Sequence, residues 1–149
     1  MDTQYYKGTA KGKINLALYI LGSVIVYFLL KYLWFKYLPE PIDNSEQAVL
    51  KYSNNVATAI TVGGFIVFGI YLYFFKMLYN FSNRIKESTQ YPPPNTHMPF
   101  TVKLLTGEKA LKHAKGIYYG SFMFIFLGLL KLGVSIYSAQ VLRELTTSF

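Results

Sequence analysis

Polar and apolar positions along this chain separate into blocks rather than alternating. Three runs are apolar nearly throughout: INLALYILGSVIVYFLLKYLWFKYL (14–38), VATAITVGGFIVFGIYLYFFKML (56–78) and GIYYGSFMFIFLGLLKLGVSIYSAQVL (116–142). Each exceeds the roughly 20 residues that cross a hydrocarbon layer of about 30 Å. A helix at the surface of a soluble protein keeps a polar stripe, whereas these blocks are apolar all round. The pattern therefore predicts an all-α integral membrane protein. Its spans are expected at about 14–37, 56–79 and 116–140, with an outer loop over 38–55 and an inner basic loop over 80–115. All 149 residues form one membrane domain in this reading. The first block follows Lys7, Lys11 and Lys13, as in a signal peptide, but its apolar stretch is too long and no small-residue cleavage site follows it.

Start and stop signals refine the elements. Asp43 followed by Glu46 resembles a capping box after Pro39 and Pro41. No proline occurs between there and Glu87, so the second helix is expected to extend beyond the bilayer. QYPPPNTHMPF (90–100) predicts an extended, semi-rigid proline strap between the second and third helices. Thr106 is the expected cap of the third helix, with Glu108 in its first turn.

Charge adds orientation. The net charge of +8 is concentrated in two places. Lys7, Lys11 and Lys13 precede the first span, and Arg84, Lys86, Lys103, Lys109, Lys112 and Lys115 lie between the second and third. The first connection instead carries Glu40, Asp43 and Glu46 against Lys51. Excess Lys and Arg mark the inner side, placing the N-terminus inside and the C-terminus outside. A bacterial inner membrane or a mitochondrial inner membrane fits this pattern. Lys109, Lys112 and Lys115 would meet anionic lipids at the inner face. The same topology explains the basic charge without a nucleic-acid partner.

The chemistry that is missing narrows function. Without cysteine there is no disulfide, thiolate metal site or thiol nucleophile. No Asp or Glu lies within a span, so a carboxylate proton relay has no basis. His97 and His113 lie outside the span interiors, and a metal or haem site would need further partners. No phosphate loop, nucleophile elbow or zinc-protease motif occurs. No cofactor, small-molecule substrate or enzymatic activity is expected.

One charge interrupts the third block: Lys131. On a helix turning about 100° per residue, Gly120, Ser138 and Ser135 lie within about 40° of it, and Gly116 and Gly128 at about 60°. Gly116 and Gly120 form a G-x-x-x-G pair, and Ala59 and Gly63 in the second span offer a small-xxx-small match with Gly64 beside them. This face is the expected packing or partner-contact surface. Lys131 then pairs with a helix carbonyl, a lipid phosphate or another subunit, or else its stem snorkels outward.

These features predict a non-catalytic accessory subunit of a larger membrane complex, with other membrane subunits as partners. A respiratory-chain assembly leads, because such complexes accumulate small accessory spans. The alternatives are a small homo-oligomeric channel or transporter with Lys131 lining an anion path, and a membrane assembly factor of a secretion or transport complex.

The topology is directly testable. Cysteines introduced as Ser45→Cys and Thr106→Cys are expected to react with an impermeant thiol reagent from opposite sides of the membrane. Labelling of both from one side would overturn the three-span arrangement.

Overall fold

The computed structural model describes residues 4–38 and 45–147. Its elements in chain order are β1 (Tyr5–Tyr6), α1 (Ala10–Tyr37), α2 (Glu46–Ser88), β2 (Gln90–Tyr91), β3 (Val102–Lys103), β4 (Leu105–Thr106) and α3 (Glu108–Thr147). All three helices are long and apolar enough to cross a membrane. At 43 residues, α2 has about twice the length that a span requires. The all-α class and the long second helix agree with the sequence pattern.

Helix boundaries differ where local hydrogen bonds decide them. The Asp43, Pro39 and Pro41 signal lies outside the described residues. Ser45 caps α2: its carbonyl accepts from the Val49 amide at 3.1 Å, and its hydroxyl from the Ala48 amide at 3.4 Å. Thr106 is not the cap of α3, because it belongs to β4. Gly107, at φ +60°, takes that position, and its carbonyl accepts from the Leu111 amide at 3.1 Å. Between the helices the connection covers 89–107, since α2 continues to Ser88 and α3 begins at Glu108.

Two compact units divide the chain. The first comprises the described parts of Met1–Tyr27 with Phe74–Met123, and the second those of Phe28–Tyr73 with Phe124–Phe149.

In the first unit the end of α2 runs antiparallel to the start of α3. Ile85, Ala110 and Ala114 are fully buried, with Phe81, Tyr91, Leu105 and Ile117 packed around them. The alanines keep the helices close enough for the buried Ser82 hydroxyl to donate to the Ala114 carbonyl at 2.8 Å. Phe75, Tyr79, Tyr118 and Phe122 stack beyond it, with centroids 5.2–5.7 Å apart. Such aromatic pairs add to simple area burial.

The 89–107 connection is folded, and is not the single extended strap that the prolines suggested. β2 pairs antiparallel with β4, and the Gly107 amide donates to the Thr89 carbonyl at 2.8 Å, closing the connection at its base. Pro92 and Pro93 are buried, the Tyr91–Pro92 bond is cis, and Asn95 turns the chain at φ +60°. The N-terminal segment is stitched onto this connection. β1 pairs with β3, the Tyr6 hydroxyl donates to the Thr96 carbonyl at 2.7 Å, and the Thr9 amide donates to the Met98 carbonyl at 2.8 Å. Thr9 then caps α1 through the Gly12 amide. The N-terminal segment and the α2–α3 connection are therefore joined within the first unit.

In the second unit the remaining lengths of α2 and α3 also pair antiparallel. Ser53 is buried, 3.0 Å from the Thr146 hydroxyl and 3.3 Å from the Leu142 carbonyl that it donates to. Threonines within α2 bond back to the preceding turn, Thr58 to Asn54 and Thr61 to Ala57. Their hydroxyls thus need no water.

The N-terminal stitching depends on a close backbone approach. A Cβ at Gly12 would strike the Met98 carbonyl, whereas one at Gly22 would meet open space. Gly12→Ala is expected to destabilise the first unit by about 1–3 kcal/mol through overpacking. Gly22→Ala should be neutral or stabilising by about 0.5–1 kcal/mol, because alanine is the better helix former. Thermal unfolding of the detergent-solubilised chain, followed by circular dichroism, measures both.

Candidate functional site

Two kinds of surface are candidates: the helix faces that pair α2 with α3, and the basic clefts of the first unit. The pairing face of α3 shows a seven-residue rhythm. Ala114, Ser121, Gly128 and Ser135 are all buried, as are Ala110 and Ala139. On α2, Ala57, Gly64 and Ile85 are buried and Tyr71 and Leu78 half-buried, again at intervals of seven or its multiples. This is the period that keeps one face of a helix turned toward an antiparallel or parallel neighbour.

The contacts are close where the residues are small. A Cβ on Gly64 would lie 2.7 Å from the Ser135 Cβ, and one on Gly128 would lie 2.9 Å from the Tyr71 Cβ and 3.0 Å from Phe68. Tyr71 lies over Gly128, its ring 6.2 Å from Phe124. Glycine at these two positions is a matter of space rather than backbone angle.

This geometry sorts the residues expected on the packing face. Gly128 and Ser135 are in it. Gly116, Gly120 and Gly63 have nothing within 4 Å of where a Cβ would stand. Lys131 and Ser138 are exposed, and Ala59 is half-buried. The match of Gly116 and Gly120 with Ala59 and Gly63 is therefore not the contact this chain makes with itself; Gly64 is the glycine of α2 that meets α3. The reason is a sign. Measured from Lys131, Ser135, Gly128, Ser121 and Ala139 lie at about +40° to +80°, but Gly120, Ser138 and Gly116 lie at about −20° to −60°. Unsigned angles merged two flanks of one helix. The seven-residue spacing of Ala114, Ser121, Gly128 and Ser135 was the signal that separates them.

Among the inner-face lysines, Lys109 and Lys112 line an open cleft of about 460 Å³ with His113, Gly116 and Ile117. Lys115 is exposed on the same helix. The His113 ring lies 4.2 Å from that of Tyr91. No group of three or more His, Cys, Asp or Glu side chains is placed to hold a metal ion among the described residues. A second cleft, of about 620 Å³, lies between the start of α1, the end of α2 and the connection. Leu16, Tyr19 and Met77 supply apolar wall; Asn80, Arg84 and His97 supply polar wall. The Arg84 guanidinium donates to the Pro94 carbonyl at 3.0 Å and reaches Thr96 Oγ1 at 3.5 Å. Sequence reasoning did not single out this cleft, since its walls come from three separated segments.

Comparison with family models, curated proteins and solved structures finds no match to this chain. The functional reading therefore stands on its residues and their geometry.

The face assignment predicts an asymmetry between two glycines of α3. Gly128→Leu is expected to destabilise the α2–α3 pair by about 1–3 kcal/mol or more, because backbone and Tyr71 must separate. Gly120→Leu should leave the isolated chain unchanged. Resistance to limited proteolysis and melting temperature in detergent give the comparison.

Proposed function

We propose that this chain is a multi-pass, non-catalytic accessory subunit of a larger membrane complex. The observation that carries the reading is Lys131. It is exposed within the apolar stretch 120–138 of α3, and none of the hydrogen bonds or ion pairs among the described residues involves it. A cation at that depth faces an acceptor from outside the chain or a route to the lipid surface. Separately, in the first unit, Gly116 and Gly120 of α3 have open space where a Cβ would stand. That is the form of surface against which another helix packs closely in lipid. The most apolar stretch of α1 likewise contains no buried residue, leaving that helix free for lipid or neighbours.

Unlike subunits are the proposed partners, and an electron-transport complex is the proposed setting, because such assemblies gather small accessory spans. The basic N-terminal segment and connection lie inside, in a bacterial or mitochondrial inner membrane, with Lys109, Lys112 and Lys115 toward anionic lipid. The folded 89–107 connection closes that inner end.

The test joins one substitution to one purification. Lys131→Met keeps the stem and removes the charge. If Lys131 meets a partner's acceptor, the variant strands that acceptor at a cost of about 3–5 kcal/mol, and the chain is lost from the complex in mild detergent while still inserting. Gly120→Leu should also weaken association without unfolding the chain. A lysine that only snorkels predicts a neutral or favourable Met, since a lysine at a span centre costs about 2.5–3.5 kcal/mol on insertion. Recovery of identical copies alone would replace this reading with the homo-oligomeric channel, and substoichiometric recovery with the assembly factor.

A further inference from the structure

The cleft of about 620 Å³ in the first unit falls within the size range of small-molecule sites. Its walls divide by polarity along the helix axes. Leu16 and Tyr19 stand just inside the start of the α1 apolar run, which begins at Ile14, and Met77 stands at the end of the α2 run. Arg84 is seven residues beyond Met77, or about 10 Å further along α2. That displacement carries it from the edge of the hydrocarbon layer into the headgroup layer. An apolar end and a cationic end about 10 Å apart match an amphiphile with an anionic head.

The cationic end is positioned and still available. Arg84 donates to two neutral oxygens, the Pro94 carbonyl and the Thr96 hydroxyl, which hold the guanidinium without offsetting its charge. A guanidinium has five donors in a planar fork suited to phosphate, so several remain for a ligand. Asn80 and His97 add polar groups to the wall. Gly12, which also lines the cleft, is flanked by Lys11 and Lys13. No carboxylate lines it.

We propose that this cleft binds one anionic phospholipid, its phosphate on Arg84 and an acyl chain along Leu16, Tyr19 and Met77. The inference rests on the membrane-spanning part of the preceding reading but not on the identity of any partner complex. It differs from a diffuse attraction of surface lysines to the inner leaflet, since it names one site with a defined head and tail.

Native mass spectrometry of the delipidated full chain in non-ionic detergent tests it. Phosphatidylglycerol and phosphatidylcholine with identical acyl chains are titrated in parallel, with inorganic phosphate as a third arm. The wild type is expected to retain one phosphatidylglycerol with a preference of about tenfold or more over phosphatidylcholine. Arg84→Gln should abolish that preference, and Arg84→Lys should keep part of it, because the charge remains while the fork is lost. Met77→Trp, which fills the tail end and leaves every charge in place, should weaken both lipids. Lys51→Gln, an exposed lysine of α2 that lines neither cleft, should change nothing. Equal retention of the two lipids by the wild type, or an undiminished preference in Arg84→Gln, would overturn the proposal. So would displacement of phosphatidylglycerol by millimolar phosphate together with indifference to Met77→Trp, which would mark a site for free anions. Should Arg84→Gln lose its helical circular dichroism, Met77→Trp decides alone. Alkaline carbonate extraction of the expressed chain separates the two levels: release from the membrane would overturn the three-span reading, whereas a retained chain without lipid preference would overturn only the lipid site.

Discussion

Close approach of α2 to α3 through small residues is the constraint on which the remaining structure depends. Lipid tails are as apolar as leucine, so burying apolar area gives helices little reason to associate in a bilayer. What remains is dispersion at short range and hydrogen bonding, and both need backbones brought near each other. Gly64 against Ser135 and Gly128 beneath Tyr71 provide that proximity in one unit. Ala110 and Ala114 beside Ile85, with the Ser82 to Ala114 hydrogen bond, provide it in the other. Among the described residues no buried side-chain nitrogen or oxygen is left unpartnered, and the buried Ser53, Ser82 and Ser121 hydroxyls each donate to a backbone carbonyl.

The first unit solves a different problem, that of where the chain re-enters water. Long apolar helices end there, and the polar backbone beyond them needs partners. Two short ladders, the Thr9 cap of α1 and the Gly107 turn into α3 meet that need with local hydrogen bonds. Aromatic rings from Phe75 to Phe122 and the Lys86 ammonium, 4.2 Å from the centre of the Tyr118 ring, accumulate at the same end. Rings with an apolar body and a polar edge suit this boundary. The cleft lined by Leu16, Tyr19, Met77 and Arg84 lies at this same end, where apolar helix gives way to polar connection.

The outward surface explains why a subunit reading is preferred to a self-sufficient one. Residues that a solitary lipid-facing protein has no use for stand on it: a lysine within an apolar helix and a pair of glycines one turn apart. Each is a cost in lipid unless something else approaches. Under the proposed subunit reading, an acceptor for the charge and a helix for the glycine face come from other proteins.

The blocks of apolar residues by themselves determined the class, the number of long helices and their approximate limits. Those properties follow from segment length and mean polarity, which need no knowledge of neighbours. Tyr6, Thr9 and Met98 join the N-terminal segment to the α2–α3 connection, the two stretches in which the basic charge is concentrated. Which glycines pack was decided only by the tertiary structure. Gly116, Gly120 and Gly63 carry the same small-residue signature as Gly128 and Gly64, and the seven-residue spacing that sets Gly128 apart on α3 does not by itself say which flank α2 will meet. The same holds for the cap of α3, which falls on Gly107 because Thr106 is drawn into β4, and for the Arg84 cleft, whose walls meet only once segments near residues 15, 80 and 97 are folded together. Local pattern specifies a helix, but the phase at which two helices meet depends on both partners at once.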